Sequence, residues 1–363
     1  MIKHYGINVT IVFDGYSESG STKDMTHLRR ARLVGQEVFF TSEMKLTTKK
    51  EVFFLSCKSN KIRFIKFLAN YLEENNLTTI QAKGDADLLI VQTAVEQSYN
   101  NKIKLIGEDT DLLVLLIHHV SRHSHQIILI NEGRSGKPGK CWDIQKIQNQ
   151  FGSRVCDHIL FAHGILGCDT TSRLHGIGKG FVIKRLLNTQ DECLSATSKI
   201  FLTKGASKVE VAATGEKAIV PLYGGDSTVP LDTFRYQVFQ RKFATAKTFV
   251  HSEDLPPTSA AAKFHCYRTY YQIQCWLSQN NNLSPLDWGW VRKEGLLHPI
   301  TTDMVPAPHN VLQVVKCGCK TMCSTLKCSC RKNGIVYSVA CSGCKGLNCA
   351  NSTKTFDDSE EEC

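Results

Sequence analysis

Two periods alternate along the first third of this chain. Short runs rich in β-branched and aromatic residues, INVTIVF, EVFFL, TTIQA, IKLIG and QIILIN, fall within residues 1–130 and read as strands. Between them, KIRFIKFLANYLEEN sets Ile65, Leu68 and Leu72 on one helical face, and DLLIVQTAVEQ does the same with Leu88, Val91 and Val95. Such alternation predicts an α/β fold, a mostly parallel sheet flanked by helices, with ligands beyond the carboxyl ends of the strands. Residues 153–187 read as helical on both sides of LGCDTTSRLHGIGKG. Residues 203–232, rich in Gly, Ala, Thr and Pro, read as an irregular connection, and 231–250 and 259–278 as helices parted by DLPP. Residues 280–310 carry Asn, Pro and Trp and read as a mostly irregular linker.

One place breaks the apolar pattern. IKLIGEDTDLLVLLIHH, residues 103–119, puts Glu108, Asp109 and Asp111 inside a run that should be buried. A bare carboxylate in apolar surroundings costs several kcal/mol or takes up a proton. Either these groups lie at the solvent-facing end of a strand, or a cation sits between them. Similar acidic points follow other predicted strands or open helices: Asp14 in VFDGY, Asp85 and Asp87 in GDADLL, and Asp169 in LGCDTT. Each alone reads as a turn or an N-cap. Together they make a carboxylate set that hard divalent ions neutralise, and two such ions about 4 Å apart drive phosphodiester hydrolysis.

Charge and cysteine content extend the picture. The 363 residues carry 44 Lys plus Arg against 34 Asp plus Glu, a net +10 that favours a polyanionic partner. No apolar run approaches the roughly 20 residues of a membrane span and the N-terminus has no signal-peptide pattern, so a soluble intracellular protein is expected. In that compartment the 16 cysteines read as metal ligands and core thiols rather than disulfides. Cys317, Cys319, Cys323, Cys328, Cys330, Cys341, Cys344 and Cys349 cluster among Lys and Arg, a spacing suited to zinc thiolate sites that supply folding energy. HGIGKG, residues 175–180, places glycines where a backbone can approach a phosphate at a helix start, although an ordinary helix–turn–helix corner has the same pattern.

Five ordered segments, VFDG, KDMTHLRRAR, QAKGDADLL, GEDTDLLVL and LGCDTTSRLHGIGKG, resemble the flap endonuclease (XPG-type) branch of the PIN-like nucleases over roughly residues 5–190. The resemblance implies Mg²⁺ or Mn²⁺ held by Asp14, Asp85, Asp87, Asp109, Asp111 and Asp169. It also implies Lys23 and Arg30 steering the scissile phosphate, Arg29, Arg30 and Arg32 on the nucleic-acid backbone, and Gly176, Gly178 and Lys179 in a duplex-binding hairpin. Asp stands at 85 and 87 where the family carries Glu. The family's preceding strand, with its own ligand Asp, has no counterpart before Asp14, so weak hydrolysis is expected. The cysteine cluster resembles the tesmin-type CXC module, which holds a small zinc cluster and contacts DNA; Tyr337 stands where that family often has another Cys. The combination is similar to invertebrate proteins linked to mobile elements.

The expected organisation is a nuclease-like domain over 1–190, a helical extension and linker over 191–310, a zinc module over 311–352 and an acidic tail over 353–363. The expected function is metal-dependent, structure-specific nuclease chemistry on branched or flapped DNA in the nucleus, RNA being a possible substrate. The competing expectation is a catalytically inactive DNA- or chromatin-binding protein, or a partial mobile-element-derived product.

Overall fold

A computed structural model describes residues 8–16, 20–26, 35–41, 43–45, 54–133, 138–187, 192–245, 250–280, 282–304, 317–319, 323–332 and 349–351. The chain divides into two compact units, Met1–Thr301 and Thr302–Cys363.

In the first unit, β1 (Thr10–Phe13) pairs in parallel with β2 (Thr78–Gln81), Thr10 facing Thr78 and Phe13 facing Gln81. The crossover contains α1 (Lys58–Glu74), which buries Ile65 and Leu72 as its periodicity predicts. α2 (Asp87–Ser98) follows β2 and buries Val91 and Ala94. β3 (Ile103–Ile106) then pairs in parallel with β4 (Ile127–Asn131), and β5 (Lys140–Asp143) runs antiparallel to β4. The sheets among the described residues are therefore small and mixed, not the single mostly parallel sheet expected. The stretch from Asn131 to Lys140 is too short for a crossover helix, so the chain turns back on itself.

α3 (Thr110–His119) begins at Asp109, whose side chain accepts the Asp111 N–H, and buries Leu112, Val114, Leu115, Leu116 and Ile117. It packs against α2 and α4 (Ile144–Leu166). α4 is capped by Asp143, interrupted at Gly152 (φ 73°) and buried on all sides through its last two turns, His163 being the polar residue there. Gly167 ends it at φ 105°, where a Cβ would lie 2.8 Å from the Arg173 Cα. α5 (Lys179–Leu187) and α6 (Glu192–Leu202) follow.

Three sequence expectations are corrected here. Residues 203–232 contain α7 (Lys208–Leu222), started by a Ser207–Glu210 capping box. Its small residues are a packing face, since a Cβ on Gly215 would meet the Cys266 Sγ of α9 (Ser259–Trp276) at 2.3 Å. Residues 280–310 contain a hairpin, β6 (Trp290–Lys293) with β7 (Leu296–Pro299), turned by Glu294 (φ 50°) and Gly295 (φ 79°). Buried Trp288 and Trp290 fasten it to the unit. EVFFL is not a strand where it is described: Phe54 and Leu55 lie in a helical turn, and Phe54 sits between Phe40 and Phe64. An aromatic cluster takes that ring in place of a sheet neighbour.

α8 (Leu231–Thr245) precedes α9, and one core runs from Val91 to Trp288. Residues beyond 190 thus share the core of those before it. Among the described residues no helix is long and apolar enough to cross a membrane. In the second unit, α10 (Ser329–Lys332) is a single turn, and Cys317, Cys323, Cys328, Cys330 and Cys349 are themselves the buried cluster.

Candidate functional site

Five chain segments bring carboxylates to one cavity of about 700 Å³: Asp14 after β1, Asp24 beside Lys23, Asp85 and Asp87 at the entry of α2, Asp109 after β3, and Asp169 after α4; Asp24 was not among the residues expected from the sequence. Asp14 and the turn before α2 are locked together. Gly15 donates its N–H to the Gly84 carbonyl at 2.7 Å, and Asp14 Oδ1 accepts the Ala86 N–H at 3.1 Å. A Cβ on Gly15 would lie 1.9 Å from the Ala82 carbonyl oxygen, so the segments leaving the paired strands β1 and β2 admit only glycine there.

Lys23 lies inside this acidic group. Only 8% exposed, it donates from Nζ to Asp85 Oδ1 and Asp87 Oδ2, both at 2.7 Å. Burial pulls the ammonium's pKa down, but the two carboxylates outweigh burial and hold it above the ordinary lysine range. Two carboxylates share one cation, and the surplus negative charge is felt at Asp85. Burial and the adjoining Asp87 push it up to about 7 despite Lys23. Burial raises Asp109 as well. Asp109 also caps α3, so its structural reading and its place on the cavity wall coexist.

Asp111 faces a second cavity of about 510 Å³, which shares Asp109 and Asp169 with the first. It is buried and accepts from His163 Nε2 at 2.6 Å. Lys179 Nζ lies 3.1 Å from His163 Nδ1. An ammonium only donates, so Nδ1 accepts and the imidazole proton sits on Nε2, facing the carboxylate. Burial pushes Asp111 up, but the His163 hydrogen bond and the charges of Lys23 and Lys179 bring it below the ordinary carboxylate range.

The glycine hairpin borders the same second cavity through Gly178 and Lys179. Gly176 has φ 76°, and a Cβ on Gly176, Gly178 or Gly180 would meet nothing within 4 Å, so this backbone stays open to an incoming group. Arg29, Arg30 and Arg32 lie outside the described residues.

Sequence reasoning missed several lining groups. Tyr271 and Cys275 come from α9, Arg292 and Leu297 from the hairpin read as linker, and Lys58 and Lys83 from the rim. His163 had a signal, a polar residue inside the apolar run ILFAHGIL, which must find a partner once buried.

In the second unit the Sγ atoms of Cys317, Cys319, Cys323 and Cys328 all lie within 4.8 Å of one another. A tetrahedral zinc with Zn–S bonds near 2.3 Å places its sulfurs roughly 3.8 Å apart, and Cys317 Sγ and Cys323 Sγ are 3.6 Å apart. Four soft thiols at that spacing fit one zinc. Cys330 and Cys349 are buried in the same cluster, while Cys341, Cys344 and Tyr337 lie outside the described residues.

No family model, curated protein or solved structure matches this chain.

Proposed function

We propose that this chain is a divalent-metal-dependent nuclease acting on DNA, branched or flapped duplex foremost, with a C-terminal zinc module that adds affinity for the duplex. One observation carries the reading: six aspartates from five separate segments line one cavity, with a seventh, Asp111, on the cavity beside it. The order of those segments resembles flap endonucleases. Structural caps and turns account for single aspartates; they do not account for convergence.

The donor set suits Mg²⁺ or Mn²⁺, since carboxylate oxygens are hard ligands and the raised Asp85 marks more negative charge than Lys23 compensates. Asp14, Asp85, Asp87, Asp109, Asp111 and Asp169 are the residues that would hold the ions. Bound there, such ions polarise a phosphoryl oxygen and acidify water. The chain's own contribution is positional: the uncrowded backbone around Gly176 and Gly178, with the Lys179 side chain, receives a backbone phosphate beside the carboxylates. Contacts of this kind fix register without reading sequence. Lys58, Lys83 and Arg292 on the first cavity's wall give a polyanion favourable approach. A nuclear site of action follows from this reading.

The test is cleavage of single-stranded, duplex and flapped DNA. We expect cleavage with Mg²⁺ or Mn²⁺, none with EDTA, and a fall of roughly a hundredfold or more in Asp109→Asn. A second reading, a DNA-binding protein without hydrolysis, draws on Lys23, which already neutralises part of the cluster. Salt-sensitive binding with no cleavage of any substrate would favour it.

A further inference from the structure

Lys23 has a feature that its expected role, steering a phosphate, does not require. Its ammonium is enclosed and faces the carboxylates, with 2.7 Å contacts to Asp85 and to Asp87. Its backbone is fastened too. Asp24 Oδ2 accepts the Ser21 N–H at 2.7 Å, Ser21 Oγ accepts the Lys23 N–H, and Thr26 Oγ1 donates to the Asp169 carbonyl at 2.7 Å. The segment that delivers the ammonium is thereby tied to the loop bearing another of the aspartates. Asp14 and Asp109 use carboxylate oxygens on the Ala86 and Asp111 N–H groups, whereas Asp85 and Asp87 turn theirs to Lys23.

We infer that Lys23 is a built-in counter-ion that competes with a divalent cation for Asp85 and Asp87. Metal entry then requires the ammonium to leave. This rests on the metal-site reading of the cavity and adds its regulation: the ammonium occupies the pair, offsetting part of its charge, until the divalent ion outcompetes a covalently tethered cation. A tethered charge needs no recruitment from solution, so it sets a threshold concentration below which the pair stays closed to metal. Once displaced, the same ammonium becomes available to an incoming phosphate, which reconciles its enclosed position with the role the sequence suggested.

The experiment uses zinc-loaded full-length protein and Mn²⁺ as probe. Bound Mn²⁺ is read by electron paramagnetic resonance, and melting is followed without added metal. The variants are Lys23→Met, Lys23→Gln and Asp109→Asn, with Lys23→Gln as the milder change should Lys23→Met fold poorly. We expect both Lys23 variants to melt lower without metal, because two carboxylates lose their cation, and to bind Mn²⁺ about tenfold tighter or more. Asp109→Asn in the Lys23→Met background should reverse the gain. Equal or weaker Mn²⁺ binding in the Lys23 variants, with wild-type binding intact, overturns the counter-ion inference and leaves the metal site standing. Absence of Mn²⁺ binding in every form overturns the metal site and the inference together. A gain that survives Asp109→Asn places the ion elsewhere and also overturns it.

Discussion

His163 donates from Nε2 to Asp111 Oδ1 at 2.6 Å, across 52 positions of sequence, and accepts from Lys179 on its other nitrogen. The contact joins the last turn of α4 to the first turn of α3, and through Lys179 to the start of α5. His163→Leu should remove the donor that offsets Asp111 burial. The expected cost is about 1–3 kcal/mol at neutral pH, read by urea denaturation. Asp111 is held below the ordinary carboxylate range, so its contribution is present above the unfolded value and lost as pH falls through the folded one. The gap between wild type and His163→Leu should therefore close in acid.

His265 makes a separate acid-sensitive point. It is buried, with its Nε2 against the Ile165 carbonyl at 2.8 Å and no partner for Nδ1 among the described residues. Burial holds it down at about 4 against an ordinary 6.5. Protonation would bury a cation with an unmatched N–H near Arg268. Stability should be complete above pH 6.5 and fall as pH drops through about 4. That depression corresponds to a full loss of about 3 kcal/mol once the pH is below the folded value. Burial lowers His118, His119 and His158 in the same direction. In His265→Gln, unfolding free energy should vary less between pH 7 and 4 than in wild type; an unchanged slope would refute the assignment.

Gly215 tests the α7–α9 contact. With Cys266 Sγ 2.3 Å and Phe201 Cζ 3.2 Å from a built Cβ, Gly215→Ala should cost about 1–3 kcal/mol despite the better helix propensity of alanine. Adding Cys266→Ala should recover part of that loss. A double-mutant cycle with no coupling would show that α7 simply shifts away.

Zinc content tests the second unit. Full-length protein prepared with zinc should contain at least one ion per chain, and more than one if the cysteines beyond Cys317, Cys319, Cys323 and Cys328 also ligate. Cys323→Ser should reduce the count and leave melting of the first unit unchanged. Because thiolates are the ligands, apparent affinity should rise with pH. Elemental analysis finding no zinc in wild type would refute the site.

How much of this was legible in the sequence depends on the kind of signal. α1 and α2 were visible because Ile65, Leu72 and Val91 recur at helical spacing. α7 was not, because Gly215 and Ala218 look like loop composition until a partner helix approaches them. The β6–β7 hairpin hid behind Trp and Gly residues whose burial depends on α9. The convergent aspartates were found from their positions after strands and before helices. The ammonium between two of them was not, since it is a contact across 62 and 64 positions that no local pattern encodes.

The enclosure of the acidic cavity has a consequence for synthesis. Asp14 leaves the ribosome first, yet the wall is completed by Tyr271, Cys275, Arg292 and Leu297. A nascent chain therefore exposes its aspartates long before they share one enclosure. A product truncated ahead of Leu297 keeps every aspartate of the cluster and loses part of the wall around it. Premature termination within that interval would leave the aspartates as an open, solvated patch in place of a cavity, where water screens the charges that the full wall sets close together.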